Sequence, residues 1–420
     1  MANKPEKVAG GRFFYGWFIV LASFAAHLGE GGMLGYALGV FVIPFEEEFG
    51  WSRATIGGAV TLGTLGGALV SPFIGRIVDK QGPRAMMTWG GILLGAVLAS
   101  LAFMQNLLHF YVLYPIGRGV ALSSLGLGST VAVANWFIIK RGRAMGIGLS
   151  GISLGGFLTP LISQGLIDAF GWRWAWIGLA IFAWVLIVPP SWIWVRHKPE
   201  DMGLRPDGLP PRGVNNDIPT IEKSSGYGQE EEENWTLGAA LRTPVFWVLI
   251  VSVALASLAV SAIILHQIPH FRDIGIGEAQ AASVLSVFAL TNGVTRFLSG
   301  YVVERVSVRW CLPVTYFGSA VGMLLLAQVH DLSSAYLFAV VYGLAAGGVP
   351  TLSTVMWADY FGRQFIGTIR GSVAPFQMGA VASGPLIAGL VYDITGQYTT
   401  VFFSFVVTFT LAGLLMLTAK

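Results

Sequence analysis

The stretch Gly75–Arg84 reads GRIVDKQGPR, and the stretch Gly300–Arg309, which begins 225 residues later, reads GYVVERVSVR. In both, a glycine stands four positions before a carboxylate, and an arginine stands five positions after that carboxylate. The same offset pairs Gly146 with Gly371, Pro160 with Pro385, and Asp168 with Asp393. A repeat at this distance indicates a chain built from two related halves.

The composition keeps most of the surface away from water. Of the 420 residues, 54% are hydrophobic and 11% are charged, and the mean hydropathy is +0.68. Soluble domains contain about 25% charged residues, so the composition indicates a polytopic protein whose partner is the lipid bilayer. The net charge of +3 is spread over loops between apolar runs, so nucleic acid is not an expected partner. The single cysteine, Cys311, excludes an intrachain disulfide and a cysteine-based metal site.

Two sets of six apolar runs are each long enough to cross the roughly 30 Å of a bilayer core. The runs lie at 13–43, 54–78, 84–104, 108–139, 143–168 and 172–195, and then at 243–268, 279–303, 310–329, 333–358, 366–391 and 398–418. The predicted fold is therefore all-α, with twelve transmembrane helices in two pseudo-symmetric six-helix bundles. The bundles are expected at 1–195 and 243–420, joined by a cytoplasmic linker at 196–242 that contains the acidic run Glu230–Glu233.

The placement of basic residues predicts the orientation. Of the 25 Lys and Arg residues, three fall in one set of loops (Arg53, Arg173 and Arg272), two lie within spans, and the other 20 lie on the opposite side. Cytoplasmic loops carry such an excess, so both termini are predicted to be cytoplasmic. The short N-terminus, the compact linker and the lack of an organelle-targeting segment favour a bacterial inner membrane. The sequence carries no signal for an oligomeric state.

Three charged residues deep within the spans break the repeat. Arg296 stands opposite Ser71, Arg118 opposite Gly343, and Glu30 opposite Leu255 at the 225-residue offset. Positions kept by the repeat are expected to serve the fold and its gates, whereas polar positions that break it are candidates for the functional site.

Arg296 is the first candidate because a central arginine costs about 2.5–3.5 kcal/mol on insertion scales and must face protein or water. No acidic residue lies within seven positions of it. Its planar guanidinium suits a carboxylate held by two hydrogen bonds. Asn292, four positions earlier, shares its helix face. We predict that the two residues bind a substrate anion; the alternative is a structural arginine neutralised by a distant acid such as Glu30.

Four further side chains, those of His266, His27, Glu30 and Arg118, are candidates for the proton-coupling site. His266 lies near the outer end of the seventh span, and an imidazole titrates close to working pH. His266 could therefore carry the proton or bind the substrate. The alternative is an interfacial histidine whose hydrogen bonds are satisfied within the protein. His27 and Glu30 are neighbours at i, i+3 on the first span. Arg118 on the fourth span is the obvious cation for Glu30, so a static Glu30–Arg118 ion pair stands beside the proton-site interpretation.

Several motifs resemble those of known transporters. GRIVDKQGPR is similar to the loop 2–3 motif of the major facilitator superfamily, and the resemblance covers essentially the whole chain. It implies a gating role for Asp79 and Arg84, with Glu304 and Arg309 at the corresponding places of the second half. The N-x-x-x-R of Asn292 and Arg296 resembles the eighth-helix D-x-x-x-R of the monocarboxylate transporter family. The stretches Trp136–Gly151 and Phe14–Trp17 are similar to fifth-helix and first-helix patterns of that family.

The sequence departs from the family in two ways. Animal members carry a lysine on the outer half of the first helix, whereas Tyr36–Val40 contains none, and Asn292 replaces an aspartate. The resemblance implies a secondary active transporter that carries small monocarboxylates of the lactate or pyruvate type together with a proton, by alternating access. Arg296 would bind the carboxylate, and His266 or Glu30 would accept the proton. Protons are the expected coupling ion, and no other cofactor or metal is expected.

Three other functions remain open at this point. Oxalate-type dicarboxylate exchangers share the eighth-helix arginine but add an eleventh-helix lysine, and Pro375–Ala380 contains no cation. A proton-driven efflux pump for hydrophobic cations would depend on Glu30. A receptor that does not transport would have no use for the gate motif and the glycine-rich helices. We find no phosphate loop, metal-ligand spacing or nucleophile triad, so the protein is not expected to be an enzyme.

Overall fold

A computed structural model describes residues 14–33, 37–209, 235–395 and 397–419. The first half contains α1a (Gly16–Gly29), α1b (Leu38–Phe49), α2 (Arg53–Gln81), α3 (Pro83–Leu101), α4 (Leu107–Trp136), α5 (Arg141–Phe170) and α6 (Trp172–Trp194). The second half contains α7 (Pro244–Asp273), α8 (Glu278–Val302), α9 (Val308–Ala327), α10 (Leu332–Phe361), α11 (Ile366–Thr395) and α12 (Thr399–Thr418).

The predicted twelve-helix membrane fold is confirmed. Among the described residues, ten helices are long and apolar enough to cross a membrane. The α1a–α1b pair and α8, which carries the polar residues Thr291, Asn292 and Arg296, complete the twelve. Both described ends lie on one face of the molecule, which we call the termini face. The linker is described only at its two ends, and the run Glu230–Glu233 lies outside the described residues.

The first span differs from the single run predicted at 13–43. Helix α1a ends at Gly29, a 3₁₀ turn follows at Glu30–Gly32, and α1b begins at Leu38. The acidic stretch Glu46–Glu48, which lies beyond that run, forms the last turns of α1b. The helix continues through these acids until Gly50, whose φ of 68° ends it in the left-handed conformation that glycine adopts without strain.

The two halves touch along two seams, α2 against α11 and α5 against α8. Glycines permit these approaches: a Cβ on Gly75 would overlap the Gly367 carbonyl, and a Cβ on Gly142 would overlap the Gly300 carbonyl. Gly75 and Gly300 are related by the 225-residue offset, and so are Gly142 and Gly367. The sequence repeat is therefore also a repeat of inter-half contacts, with both seams closed near the termini face.

Candidate functional site

Arg296 lies in the α5–α8 seam with its guanidinium between the two halves. Its Nη2 donates to Asn292 Oδ1 at 3.3 Å, and its Nη1 donates across the seam to Ser153 Oγ on α5 at 3.0 Å. The structure thus brings together the predicted pair on α8. It adds Ser153, whose offset partner is Met378. Ser153 is thus a polar residue that breaks the repeat, which is the signal in the sequence that marks it.

The main chain around Arg296 is fixed by small and hydroxylated neighbours. The Arg296 carbonyl accepts from Thr351 Oγ1 at 3.1 Å and from Ser299 Oγ at 2.9 Å. A Cβ on Gly146 of α5 would lie 3.3 Å from the Phe297 carbonyl, so a larger residue there would crowd the seam. These contacts hold the backbone of α8 and leave the half-buried guanidinium to hydrogen-bond with partners between the halves.

His27 and Glu30 form a buried hydrogen-bonded pair at the end of α1a. His27 Nδ1 lies 2.8 Å from Glu30 Oε1, and His27 Nε2 lies 2.9 Å from Ser129 Oγ on α4. The exposed fractions are 2% for His27 and 3% for Glu30. Glu30 Oε2 is buried and has no hydrogen-bond partner within the part of the chain that the structure describes. A buried carboxylate with one unused oxygen is costly when charged, so a proton on this pair would relieve that cost.

The predicted static Glu30–Arg118 ion pair is wrong. Arg118 Nε donates to Thr64 Oγ1 at 2.7 Å, and its Nη1 donates to the Met33 carbonyl at 2.9 Å. Glu30 instead bonds to His27, which lies one turn earlier on the same helix face. Arg118 binds the carbonyl where the broken first helix ends, a place that carries partial negative charge.

His266 lies apart from Arg296. Its Nε2 is 3.1 Å from the Pro385 carbonyl of α11, and its Nδ1 is 3.1 Å from the Tyr398 hydroxyl. Because a carbonyl only accepts, Nε2 carries the hydrogen, and a neutral ring satisfies both contacts when Tyr398 donates. The structure therefore does not bring His266 together with Asn292 and Arg296. This geometry favours the satisfied interfacial histidine over a substrate ligand.

The two repeat carboxylates make matching contacts at the termini face. Asp79 accepts from the backbone N–H groups of Gly367 and Thr368, at 2.9 and 2.6 Å, at the start of α11. Glu304 accepts from the backbone N–H of Arg143, at 2.9 Å, and from Arg143 Nε, at 2.7 Å, at the start of α5. The two donor residues, Arg143 and Thr368, are themselves related by the 225-residue offset. Each carboxylate thus meets the N-terminal end of a helix in the opposite half, where negative charge is stabilised.

The two repeat arginines do not contact these carboxylates. Arg84 stacks on Trp192 of α6 with its guanidinium carbon 4.5 Å from the ring centroid. Arg309 donates to the Leu417 carbonyl of α12 at 3.0 Å. Their partners, Trp192 and Leu417, are related by the 225-residue offset, so the two arginines make equivalent contacts in the two halves. Both contacts stay within one half, and they hold α3 to α6 and α9 to α12.

Sequence reasoning missed further links between the halves at the termini face. Arg141 Nη1 lies 3.0 Å from Asp359 Oδ1, and Arg363 Nη1 donates to the Asn135 carbonyl at 2.6 Å. Arg363 also pairs with Glu200, just after α6. None of these positions belongs to the repeat motif. These contacts depend on which helix ends meet across the interface between the halves, and no spacing in the sequence predicts which ends meet.

The family model of the Major Facilitator Superfamily matches residues 18–274 and 259–420, which together include both halves. The chain belongs to the Major Facilitator Superfamily. The solved structure of the proton:xylose symporter XylE bound to 6-bromo-6-deoxy-D-glucose superposes with a TM-score of 0.76 at 15% identity, covering 97% of this chain and 96% of that one. At this identity the likeness shows the fold.

Sequence relatives of this chain include monocarboxylate transporters. Monocarboxylate transporter 13 of Rattus norvegicus is 25% identical over 425 aligned positions, covering 98% of this chain and 90% of the relative. Monocarboxylate transporter 2 of Homo sapiens is 26% identical over 407 positions, covering 93% and 82%. The predicted similarity to that family is confirmed, as is the prediction that the protein is a transporter rather than an enzyme.

Proposed function

We propose that this transporter carries small monocarboxylates of the lactate or pyruvate type together with a proton. The observation that carries the proposal is Arg296, a permanent cation between the halves that shares its surroundings with Asn292 Oδ1 and Ser153 Oγ. A carboxylate can take two parallel hydrogen bonds from such a guanidinium. The names of the sequence relatives support a monocarboxylate as the substrate.

The charges motivate proton coupling. A carboxylate bound to Arg296 leaves that pair neutral, and one co-transported proton makes the full cycle electroneutral. Moving net charge through the bilayer core is expensive, so an anion and a proton that travel together avoid this cost. Alternating access would then proceed as a rocking of the two halves about the site between them.

The His27–Glu30 pair is the better proton acceptor of the two predicted ones. With a neutral ring that donates to Glu30 and accepts from Ser129, the pair carries one negative charge; one added proton makes it neutral. Both residues are buried, and the second oxygen of Glu30 is unused in the described structure. His266, by contrast, is satisfied as a neutral ring by Pro385 and Tyr398.

We propose that the termini face is cytoplasmic and that Asp79 and Glu304 hold it closed. The basic residues concentrated on that side support this orientation. Closure there fits a state in which Arg296 is reached from the opposite side, and a bacterial inner membrane fits the predicted topology. Arg84 and Arg309, predicted as gate residues, would fix the helices within each half and would not hold the two halves together.

The test is uptake of labelled lactate into proteoliposomes driven by an inward proton gradient. Arg296→Gln and Arg296→Lys are compared with Arg173→Gln, which removes an arginine paired with Glu48 on the opposite face. We expect uptake to fall at least about 100-fold in Arg296→Gln, since a charged two-point contact is lost, and Arg173→Gln to transport normally. Full activity in Arg296→Gln would refute the anchor role.

Dicarboxylate exchange of the oxalate type is the second candidate. The middle of α11 offers no second cation for a dicarboxylate, but Arg118 bonds neutral acceptors whereas Glu30 bonds His27, so Arg118 is a candidate for that cation. Oxalate that competes with lactate uptake and exchanges without a proton gradient would support this candidate. Competition without exchange would leave the monocarboxylate proposal in place.

A further inference from the structure

Arg118 is a second cation at the level of the candidate site. Its guanidinium donates to two neutral acceptors, Thr64 Oγ1 and the Met33 carbonyl, and it pairs with no carboxylate in the described part of the chain. The side chain is half-buried. A cation within a span calls for an anionic partner, and neutral acceptors do not neutralise it.

The Arg118 side chain lies within about one helical turn of the depth of the Arg296 guanidinium. The halves of this fold are related by an axis along the membrane normal, so residues 225 apart share a depth. Gly67 of α2 is the counterpart of Asn292, and a Cβ on Gly67 would lie 3.0 Å from the Cα of Gly119, the residue after Arg118. Thr64, which Arg118 contacts, is three residues from Gly67, or about 4.5 Å along the helix.

The two arginines belong to opposite halves and lie beside the two seams that connect those halves. Arg118 rests on α2, which packs on α11. Arg296 lies between α8 and α5. Immediately after Arg118, α4 changes to a π-helical stretch at Ala121–Leu127. Such stretches are rare and concentrate at functional sites. Each half therefore contributes one guanidinium beside a seam with the other half.

We infer that Arg118 binds the second oxygen-bearing group of the substrate while Arg296 binds its carboxylate. This assignment rests on the proposed function and narrows its substrate class to 2-oxo acids, 2-hydroxy acids and short dicarboxylates. Their keto, hydroxyl or second carboxylate oxygen accepts a hydrogen bond from a guanidinium. Propionate has the same carbon chain as lactate and pyruvate but lacks that acceptor, so it makes only the contact with Arg296.

The experiment compares kcat/KM for pyruvate, lactate and propionate in proteoliposomes containing the full chain. In the parent, pyruvate and lactate are expected to exceed propionate by ~10- to 100-fold, the value of one hydrogen bond to a charged group. In Arg118→Gln we expect the ratio of kcat/KM for pyruvate or lactate to kcat/KM for propionate to fall to about one. Propionate transport should stay within a few-fold of the parent. Arg118→Lys should retain part of the ratio, because a lysine supplies a charge without the planar fork.

Tyr114→Phe is the matched control, because the Tyr114 hydroxyl donates to the same Met33 carbonyl at 3.3 Å. It removes the contacts of the Tyr114 hydroxyl with the Met33 carbonyl and with Arg118 but keeps the guanidinium, so the ratio of kcat/KM values should be unchanged. An unchanged ratio in Arg118→Gln, or an equal fall for all three acids, overturns the assignment in favour of a structural role. Retained transport in Arg296→Gln, or a parent that carries none of these acids, would instead refute the proposed function, and this assignment with it.

Discussion

Removing the two carboxylates at the termini face should open that face. Asp79 accepts from two backbone N–H groups of α11, and Glu304 accepts from one backbone N–H and one side chain of Arg143. These contacts join opposite halves, so both must break when the face opens. We predict that Asp79→Asn combined with Glu304→Gln shifts the protein from a closed to an open termini face.

The size of the shift follows from the contacts. An amide in place of a carboxylate lowers each hydrogen bond from about 1.5–3 to about 0.5–1.5 kcal/mol, so Asp79→Asn costs the closed form about 2–3 kcal/mol. The side chain of Arg143 is 36% exposed, so its ion pair with Glu304 is discounted to about 1 kcal/mol or less. The double variant then loses about 4–5 kcal/mol, close to the roughly 5.5 kcal/mol that inverts a 99:1 ratio.

Pulsed electron–electron double resonance measures this opening as the distance between two nitroxide labels. Lys80 and Arg305 suit the labels because both are exposed, lie on opposite halves and are related by the 225-residue offset. Cys311→Ala removes the native thiol. We expect a longer-distance population to become the majority in the double variant, with smaller shifts in each single variant.

Arg84→Gln is the control for these measurements, because its contact with Trp192 stays within one half. It should leave the distance distribution as in the parent. A double variant that keeps the parent distribution, or an Arg84→Gln variant that opens to the same extent, would refute the reasoning.

Two further predictions concern the proton site and the linker. Glu30→Gln should abolish lactate accumulation driven by a proton gradient yet retain lactate–lactate exchange, whereas His266→Gln should retain both; loss of both in the histidine variant would reverse the assignment. Asp207→Ala should lower the free energy of unfolding by about 2–4 kcal/mol, because the Asp207 carboxylate accepts the backbone N–H groups of residues 138, 139 and 140. Thermal unfolding in detergent measures this loss; exposed Asp201→Ala should have no effect, and equal melting temperatures for both variants would contradict it.

The repeat made the gate contacts readable from the sequence. A carboxylate kept at both ends of a 225-residue offset predicts two equivalent contacts, and the partners Thr368 and Arg143 obey the same offset. The candidate anchor was also readable, because a mid-span arginine is costly and its i−4 neighbour shares its face. In both cases the information is local to one helix or is copied by symmetry.

Contacts between helices could not be predicted where they neither follow the 225-residue offset nor join neighbours on one helix. Arg118 is the obvious cation for Glu30 if helices 1 and 4 are neighbours. Neighbouring helices, however, place several donors and acceptors within reach of each of these side chains. The 3₁₀ turn at Glu30–Gly32 sets Glu30 against His27 and offers the Met33 carbonyl to Arg118. That outcome depends on where the first helix breaks, and an apolar run with scattered glycines does not mark the break.

Helix α5 connects the proposed proton site to the proposed anion site. A Cβ on Gly151 would lie 3.1 Å from the His27 Cβ, whereas Ser153 bonds Arg296. Residues two apart on a helix point about 200° apart, so the two sites lie on opposite faces of α5, roughly 10 Å from each other. At an effective dielectric constant near 20, one charge acts on another over that distance with about 1.7 kcal/mol.

The sign of this interaction orders the two binding steps. An unprotonated His27–Glu30 pair is negative and repels the substrate anion, whereas protonation removes the repulsion and should raise anion affinity by roughly tenfold. Lactate affinity should therefore fall as the pair loses its proton, and in Glu30→Gln, where position 30 has no carboxyl to ionise, that dependence on pH should disappear. Equal pH dependence in the parent and in Glu30→Gln would show that the anion site responds to some other titrating group, and the coupling through α5 would have to be abandoned.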